Sequence, residues 1–375
     1  MVNSFFEDMC RPLKAASSNL SPYARGPDGR KVHPHANAGT DLDLAERGRL
    51  LILSDLHMGA GKRDDLAANG ELLIKVLEDY YFPAGWTLIL NGDIEELQRF
   101  RLAQIRERWI RLYQIFDRFN AEGRLFKNLG NHDEDLVFER NYPYSLTNFI
   151  RVRGIIPIYI YHGHQSSRIY MNYNSLLRAG VRYILKPFGI KNISNARSLY
   201  RRFSVEKKSY DFSMQNNCIS IIGHTHRALF ESLGRFDYIK YEIERLCRDY
   251  PSSEGEEKHK IEVEVAALLE DLRKLKRKER QDVLRQSLYG NEMPVPCLFN
   301  SGSAIGRKGI NAVELDDRSI ALVYWFAEGH ERKFIRRGYY PVEYLENSPY
   351  RRSVLNQDRL DYIKARIELL GAKFL

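Results

Sequence analysis

The sequence predicts an α/β fold, and two observations carry that prediction. Between Leu50 and Leu129, short apolar runs of strand length alternate with longer amphipathic stretches in the order β-α-β-α-β. Each run is closed by Gly, Asp, Asn or His. This order favours parallel strands covered by helices, and it puts polar residues just past the strand ends, where the sites of open α/β sheets lie. With 375 residues, 43% hydrophobic and 29% charged, the chain can bury a full core in one large domain or two ordinary ones.

Residues 1–45 are rich in Pro, Gly, Ser and Asn and read as an irregular arm, with His33 and His35 as a solvated loop pair. The body, 46–330, opens with a buried strand, Leu50 to Leu53. Asp64 to Tyr81 has helical spacing (Leu66, Leu72, Leu73, Val76, Leu77), with Asp64 or Asp65 as N-cap. Trp86 to Leu90 is the next strand, and Leu102 to Phe119 the next helix, with Ile105, Trp109, Leu112, Ile115 and Phe116 on one side. Further strands are read at Leu125-Phe126, Ile155 to Tyr161 and Ile219 to Ile222, and closing strands at Pro296 to Asn300, Ala312 to Leu315 and Ile320 to Phe326. Two insertions interrupt the body. Residues 165–217 form a basic cap, and 236–290 a charged helical segment whose stretch Ile261 to Arg285 has an apolar face and the alternating charges of a solvated helix. Residues 331–375 read as a basic tail ending in a helix from about Leu355 to Leu370.

Composition narrows the function classes. The formal net charge is +9, from 58 Lys and Arg against 49 Asp and Glu, so the surface favours anionic partners: phosphorylated small molecules, nucleic acid or acidic lipid headgroups. No run approaches the ~18 to 20 apolar residues of a membrane span. The opening residues lack a basic n-region followed by an apolar h-region, so a secretory leader is not expected and the default location is cytoplasmic. The four cysteines, Cys10, Cys218, Cys247 and Cys297, are far apart without a C-x-x-C pair. That spacing argues against a disulfide framework and a zinc knuckle.

The chemistry lies at the strand ends. Five strand-like runs finish in metal-competent residues: Asp55 with His57, Asp93, Asn131 with His132, His162 with His164, and His224 with His226. Six of the ten histidines fall there, which chance placement over helices and loops would not give. Residues i and i+2 on a strand lean to one side, so Asp55 and His57 can converge on one point. A carboxylate such as Asp93 has two oxygens and can bridge two cations, at the ~3.5 to 4 Å of two-metal hydrolases. Imidazole, carboxylate and amide ligands without cysteine suit a catalytic site for Mn, Fe, Zn or Ni rather than a thiolate structural zinc. His132 is the nearby donor for a phosphoryl oxygen. Asp133 is expected to orient His132 or cap the following helix, and Glu95 and Glu96 to sit in the first turn of a helix. Lys62, Arg63, Asp64, His164 and Arg227 are the candidate substrate contacts, with helix capping the competing use of Asp64.

Asp55-x-His57, Gly92-Asp93, Gly130-Asn131-His132-Asp133, His162-Gly163 and Gly223-His224-Thr225-His226 resemble, in order and in flanking strands, the motif series of the calcineurin-like metallophosphoesterases. The resemblance covers roughly Leu50 to His226, with closing strands to about Phe326. It implies a four-layer β-sandwich flanked by helices and a dinuclear metal centre. Asp55, His57, Asp93 and His226 would hold one metal, while Asp93, Asn131, His162 and His224 would hold the other. His132 would contact the phosphate and assist the leaving oxygen. Ser54-Asp55-Leu56-His57-Met58-Gly59 and Gly223-His224-Thr225-His226-Arg227 look most like the UDP-2,3-diacylglucosamine pyrophosphohydrolase branch, which has a helical insertion at the place of 165–217 that receives acyl chains. This chain departs from that branch at His162-Gly163-His164, where His-Gly-Asp is usual.

The expected function is a hydrolase of a phosphoester or pyrophosphate bond with two divalent transition metals, Mn first and Fe, Zn or Ni as alternatives, in which a metal-bridging hydroxide attacks phosphorus. A nucleotide-linked or lipid-linked substrate fits the resemblance. Between residues 168 and 208 stand ten Lys or Arg against the single acidic Glu206, interleaved with tyrosines and apolar residues. Such a stretch can meet an anionic membrane on its inner face or clamp a polyanion, with a solvated basic face as the plain reading. A nucleic-acid phosphodiesterase is the alternative, and a non-catalytic scaffold with 236–290 as partner surface a third.

Overall fold

The computed structural model describes residues 4–10, 36, 37, 39–166, 199–230, 243, 246, 247, 250–282, 295–305, 309–330 and 342–371. His33, His35 and residues 167–198 of the basic cap lie outside them. In chain order the first strands are β1 (Ala36–Asn37), β2 (Thr40–Asp43), β3 (Leu50–Leu53), β4 (Thr87–Asn91), β5 (Leu125–Asn128), β6 (Leu146–Thr147), β7 (Phe149–Arg153) and β8 (Ile158–Tyr161). The rest are β9 (Ile219–Ile222), β10 (Leu229–Phe230), β11 (Leu298–Asn300), β12 (Ile310–Leu315), β13 (Ser319–Ala327), β14 (Val342–Tyr344) and β15 (Tyr350–Arg359). They form a nine-stranded sheet, β1-β6-β5-β4-β3-β12-β13-β15-β14, and a six-stranded sheet, β10-β11-β9-β8-β7-β2.

Every residue of β3 is buried, and its alternation sorts the two sides. Leu50 and Ile52 belong to a core shared with Ile150, Val152, Ile158, Ile160, Ile219 and Ile221 of the other sheet. Leu51 and Leu53 turn instead to the helices Gly70–Val76, Leu102–Arg108 and Ile110–Ala121, against Leu72, Val76, Ile105, Leu112 and Phe116. A strand buried on both faces reads as a continuous apolar run, which is how Leu50 to Leu53 stands in the sequence. The helices Ser4–Cys10, Leu199–Asn216 and Leu360–Leu370 join the inter-sheet core through Phe5, Phe6, Phe212, Met214, Ile363 and Ile367. The result is an α/β sandwich of two sheets with helices.

Several elements differ from the sequence reading. The helix expected from Asp64 begins at Gly70, because the Asp64 carboxylate turns back to accept from the backbone N–H groups of Gly59 and Leu66 and holds an irregular loop. The helix expected over Leu102 to Phe119 breaks at Trp109, whose indole N–H donates to the Gly59 carbonyl. In the arm, Ser4–Cys10 is helical and β2 pairs in parallel with β7. The segment read as a tail supplies β14 and β15, with β15 paired along its whole length to β13, so the last helix starts at Leu360 rather than Leu355. The charged segment contains one long helix, Gly255–Asp282, whose Ile261 and Leu268 pack with Leu246 in a small cluster of their own.

β3, β4 and β5 run parallel, as do β8 and β9, so five chain segments leave the sheets at carboxyl ends. Asn91 and Asn128 tie those ends together. The Asn128 amide donates to Asn91 Oδ1 at 2.7 Å and to the Ile160 carbonyl at 2.9 Å, and the Asn91 amide donates to the Tyr161 carbonyl at 3.1 Å.

Candidate metal centre

The segments beyond these strand ends bring six of the seven predicted ligands, Asp55, His57, Asp93, His162, His224 and His226, together. Asp55 Oδ1 lies 3.1 Å from His226 Nε2 and 3.9 Å from His57 Nε2, and the two imidazole Nε2 atoms are 3.2 Å apart. Asp93 Oδ2 lies 3.1 Å from His162 Nε2 and 3.8 Å from His57 Nε2. Potential ligand atoms of Asp55, His57 and His226 form one group, and those of Asp93, His162 and His224 a second. Asp93 therefore stands between the two, in reach of a ligand from each.

The backbone is strained to achieve this. Asp55, His57, Asp93, His224 and His226 have φ of 54°, 46°, 53°, 63° and 55°, and they are five of the seven non-glycine residues with positive φ among the described residues. The left-handed region costs an L-residue roughly 1–2 kcal/mol, and such strain concentrates at functional sites. Hydrogen bonds hold the strained loops: Asp55 N–H to the Gly92 carbonyl, His57 N–H to that of Asp93, Gly223 N–H to that of His162. Close packing demands glycine between them. A Cβ on Gly130 would fall 2.2 Å from the Asp93 backbone N and Oδ1, and one on Gly92 would fall 2.6 Å from the His162 ring.

Hydrogen bonds also orient the imidazoles. His162 Nδ1 donates to the Asn91 carbonyl at 2.9 Å and His57 Nδ1 to Glu96 Oε2 at 3.0 Å, which turns Nε2 of each ring toward the candidate ligand group. Outer partners of this kind fix the tautomer of metal-binding histidines. Two buried candidate ligand atoms, Asn131 Oδ1 and His162 Nε2, lack a well-formed hydrogen bond, the latter facing Asp93 Oδ2 at 3.1 Å. Buried polar atoms normally have partners, so these orphans, together with the nitrogen and oxygen donor set, fit divalent transition metals.

Electrostatics agree. Burial acts to raise the Asp93 carboxyl, but His162 and His132 hold it well below the usual range. Asp55 is lowered in the same way, against its burial, by His226 and His162. Burial acts to lower His162, yet Asp93 and Asp55 lift it to about 9, while burial, helped by the neighbouring His162 and His164, drives His224 well down. The His162 proton occupies the place that a cation's charge would take.

His132 is placed differently. Its backbone N–H donates to Asp93 Oδ1 at 2.7 Å, and its Nδ1 donates to Glu96 Oε2 at 2.8 Å. Against burial, Asp93 and Glu96 raise it to about 9, which favours the protonated ring. Glu96 is the residue missed in the sequence: it occupies no helix, and one of its oxygens holds both His57 and His132. Glu95 likewise lies in no helix, in register with Met58. Asp133 makes no side-chain cap and accepts from the N–H groups of Gly130 and Ile94.

The candidate substrate contacts divide. His164 is buried, with Nε2 3.2 Å from Glu134 Oε1 and its ring 5.4 Å from that of His162. Arg227 is paired to Glu206 on the helix Leu199–Asn216, Nη2 to Oε2 at 2.6 Å. Lys62 and Arg63 lie exposed on the turn Gly61–Arg63, and Asp64 serves its own loop.

No family model and no curated protein matches the sequence. Among solved structures, vacuolar protein sorting 29 from Cryptosporidium parvum aligns over 76% of this chain and 93% of its own, with 11% identity and a TM-score of 0.31, a likeness too slight to carry an inference.

Proposed function

We propose that the chain is a metal-dependent hydrolase of phosphoester or pyrophosphate bonds, with Asp55, His57, Asp93 and His226 holding one divalent cation and Asp93, Asn131, His162 and His224 a second. The observation that carries this reading is the meeting of two groups of potential ligand atoms at Asp93, with Asn131 Oδ1 buried and without a hydrogen bond. The calcineurin-like order of the motifs supports it. Manganese is the first candidate, and iron, zinc or nickel suit the same donors. Held there, the cations would neutralise phosphoryl oxygens and acidify a water.

The chain's own part is positioning and proton transfer. Asp93 anchors the His132 backbone while Glu96 turns its ring, so the imidazolium Nε2–H can donate to the oxygen that departs from phosphorus. Sharing one carboxylate between His57 and His132 locks the acid to a metal ligand. A nucleotide-linked or lipid-linked substrate in the cytoplasm, drawn by the net charge of +9, completes the reading. Contact with an anionic membrane through 168–208 belongs to the same proposal.

The test is metal content together with hydrolysis of a chromogenic phosphodiester. Wild type should carry two equivalents of metal, and Asp93→Ala or His132→Ala should lower kcat by on the order of 100-fold or more. Full activity in both variants would overturn the reading.

A further inference from the structure

Lys127 places an ammonium where one is seldom found. It sits in β5 in register with Leu90 on one side and Leu146 on the other, and its side chain is 0% exposed. Burying a charge is costly unless it is paired and hydrogen-bonded. Lys127 is both: Nζ lies 2.8 Å from Glu95 Oε2 and 3.0 Å from Asp133 Oδ2.

The two carboxylates come from two different loops. Glu95 follows Asp93 by two residues, and Asp133 follows Asn131 by two. Asp133 Oδ1 accepts the Gly130 N–H at 2.6 Å, and its Oδ2 accepts the Ile94 N–H at 2.9 Å, so one side chain grips the backbone of both loops. Glu95 Oε1 takes the hydroxyls of Tyr113 at 3.0 Å and Tyr142 at 2.7 Å, which completes the network. Well-packed apolar residues in place of a buried ion pair are often as stable or more so. Stability therefore gives no account of three buried charges beneath the ligands, whereas the fixing of two loops does.

We infer that Lys127 is a positioning residue: its ammonium clasps the loop carrying Asp93 to the loop carrying Asn131 and His132, and so sets the spacing of the two cation positions that share Asp93. The inference rests on the proposed metal-dependent reading. The loops have no slack, since a single added methyl on Gly130 would strike Asp93. Released from Lys127, Asp133 and Glu95 would repel each other, and the grip on Gly130 and Ile94 would loosen.

The test compares wild type, Lys127→Met and Lys127→Arg by two readouts. In metal-free protein, amide hydrogen exchange at Gly130 and Ile94 should speed up by about tenfold or more in Lys127→Met, while Ile219–Ile222 in the other sheet keeps its protection. In Mn-loaded protein, the exchange-coupled electron paramagnetic resonance signal of a metal pair should be lost or altered in Lys127→Met, with kcat down about tenfold or more and KM within about twofold. Lys127→Arg should restore both. If Lys127→Met does not fold, Glu95→Gln removes one partner of the clasp and should show the same local loosening. Wild-type exchange and a wild-type pair signal in Lys127→Met would overturn the inference, as would a loss of protection spread evenly over the fold. Absence of any coupled pair in wild type, with the amides responding as stated, would instead overturn the metal reading and leave the clasp standing.

Discussion

Five of the candidate ligands carry backbone strain, and Asp55, Asp93, His162 and His224 have displaced ionisation. His162 shows the consequence most directly, because a proton and a cation compete for the same nitrogen. Lifted to about 9 by Asp93 and Asp55, the metal-free imidazole is protonated at pH 7, and only the neutral ring can bind metal through Nε2. Metal uptake at pH 7 should therefore release a proton from His162, and apparent affinity should rise about tenfold per pH unit until pH nears 9. Calorimetric titration in buffers of different ionisation enthalpy measures that release, and its absence would place the metal elsewhere. The candidates Asp55, His57, Asp93, Asn131, His132, His162, His224 and His226 could be picked from the sequence because each lies within a few residues of the end of an apolar run. Glu96 was not legible. Acidic residues after Asp93 suit a helix start, and only the pairing of Met58 with Glu95, distant in sequence, turns Glu96 toward two histidines.

At the scale of elements, the helix Leu199–Asn216 of the insertion reaches the site through Glu206. Glu206 is 2% exposed, accepts the Thr225 hydroxyl at 2.9 Å and pairs with Arg227, so it brackets His226 from both sides in sequence. Asn300 Nδ2 donates to Thr225 Oγ1 and to the Gly223 carbonyl, holding the same loop from β11. Glu206→Ala would leave Thr225 and Arg227 without that carboxylate, at a stability cost of about 1–3 kcal/mol. The His224–His226 loop should then release metal to a chelator about tenfold faster, as stopped-flow chelation would show, and an unchanged rate would mean that the helix is a bystander. Element boundaries were harder to read than ligands for a related reason. β15 belongs in the sheet because β13 is its partner, and a pairing between residues some thirty positions apart leaves no local periodicity. Trp109 likewise redirects its segment through a contact with the distant Gly59, which no window of neighbouring residues contains.

On the scale of the whole molecule, the candidate site is the place where the two sheets depend on each other. β3, β4 and β5 of the larger sheet deliver Asp55, His57, Asp93, Asn131 and His132, while β8 and β9 of the smaller one deliver His162, His224 and His226. Each proposed metal position would take ligands from both sheets. A bound cation is then a cross-link between sheets, and its binding energy counts toward the global folding equilibrium rather than a local loop. At a free Mn concentration about 100 times the dissociation constant, the stabilisation is about 2.7 kcal/mol per site. With an unfolding entropy of about 2.1 cal/mol/K per residue, that raises Tm by about 3 °C per site for a chain of this length. Removal of Asp93, the one carboxylate common to both positions, should abolish most of the increase, so calorimetry of wild type and Asp93→Ala with and without Mn decides the matter. An equal Mn-induced rise in Asp93→Ala would show that the metal stabilises the fold from somewhere other than the junction of the sheets.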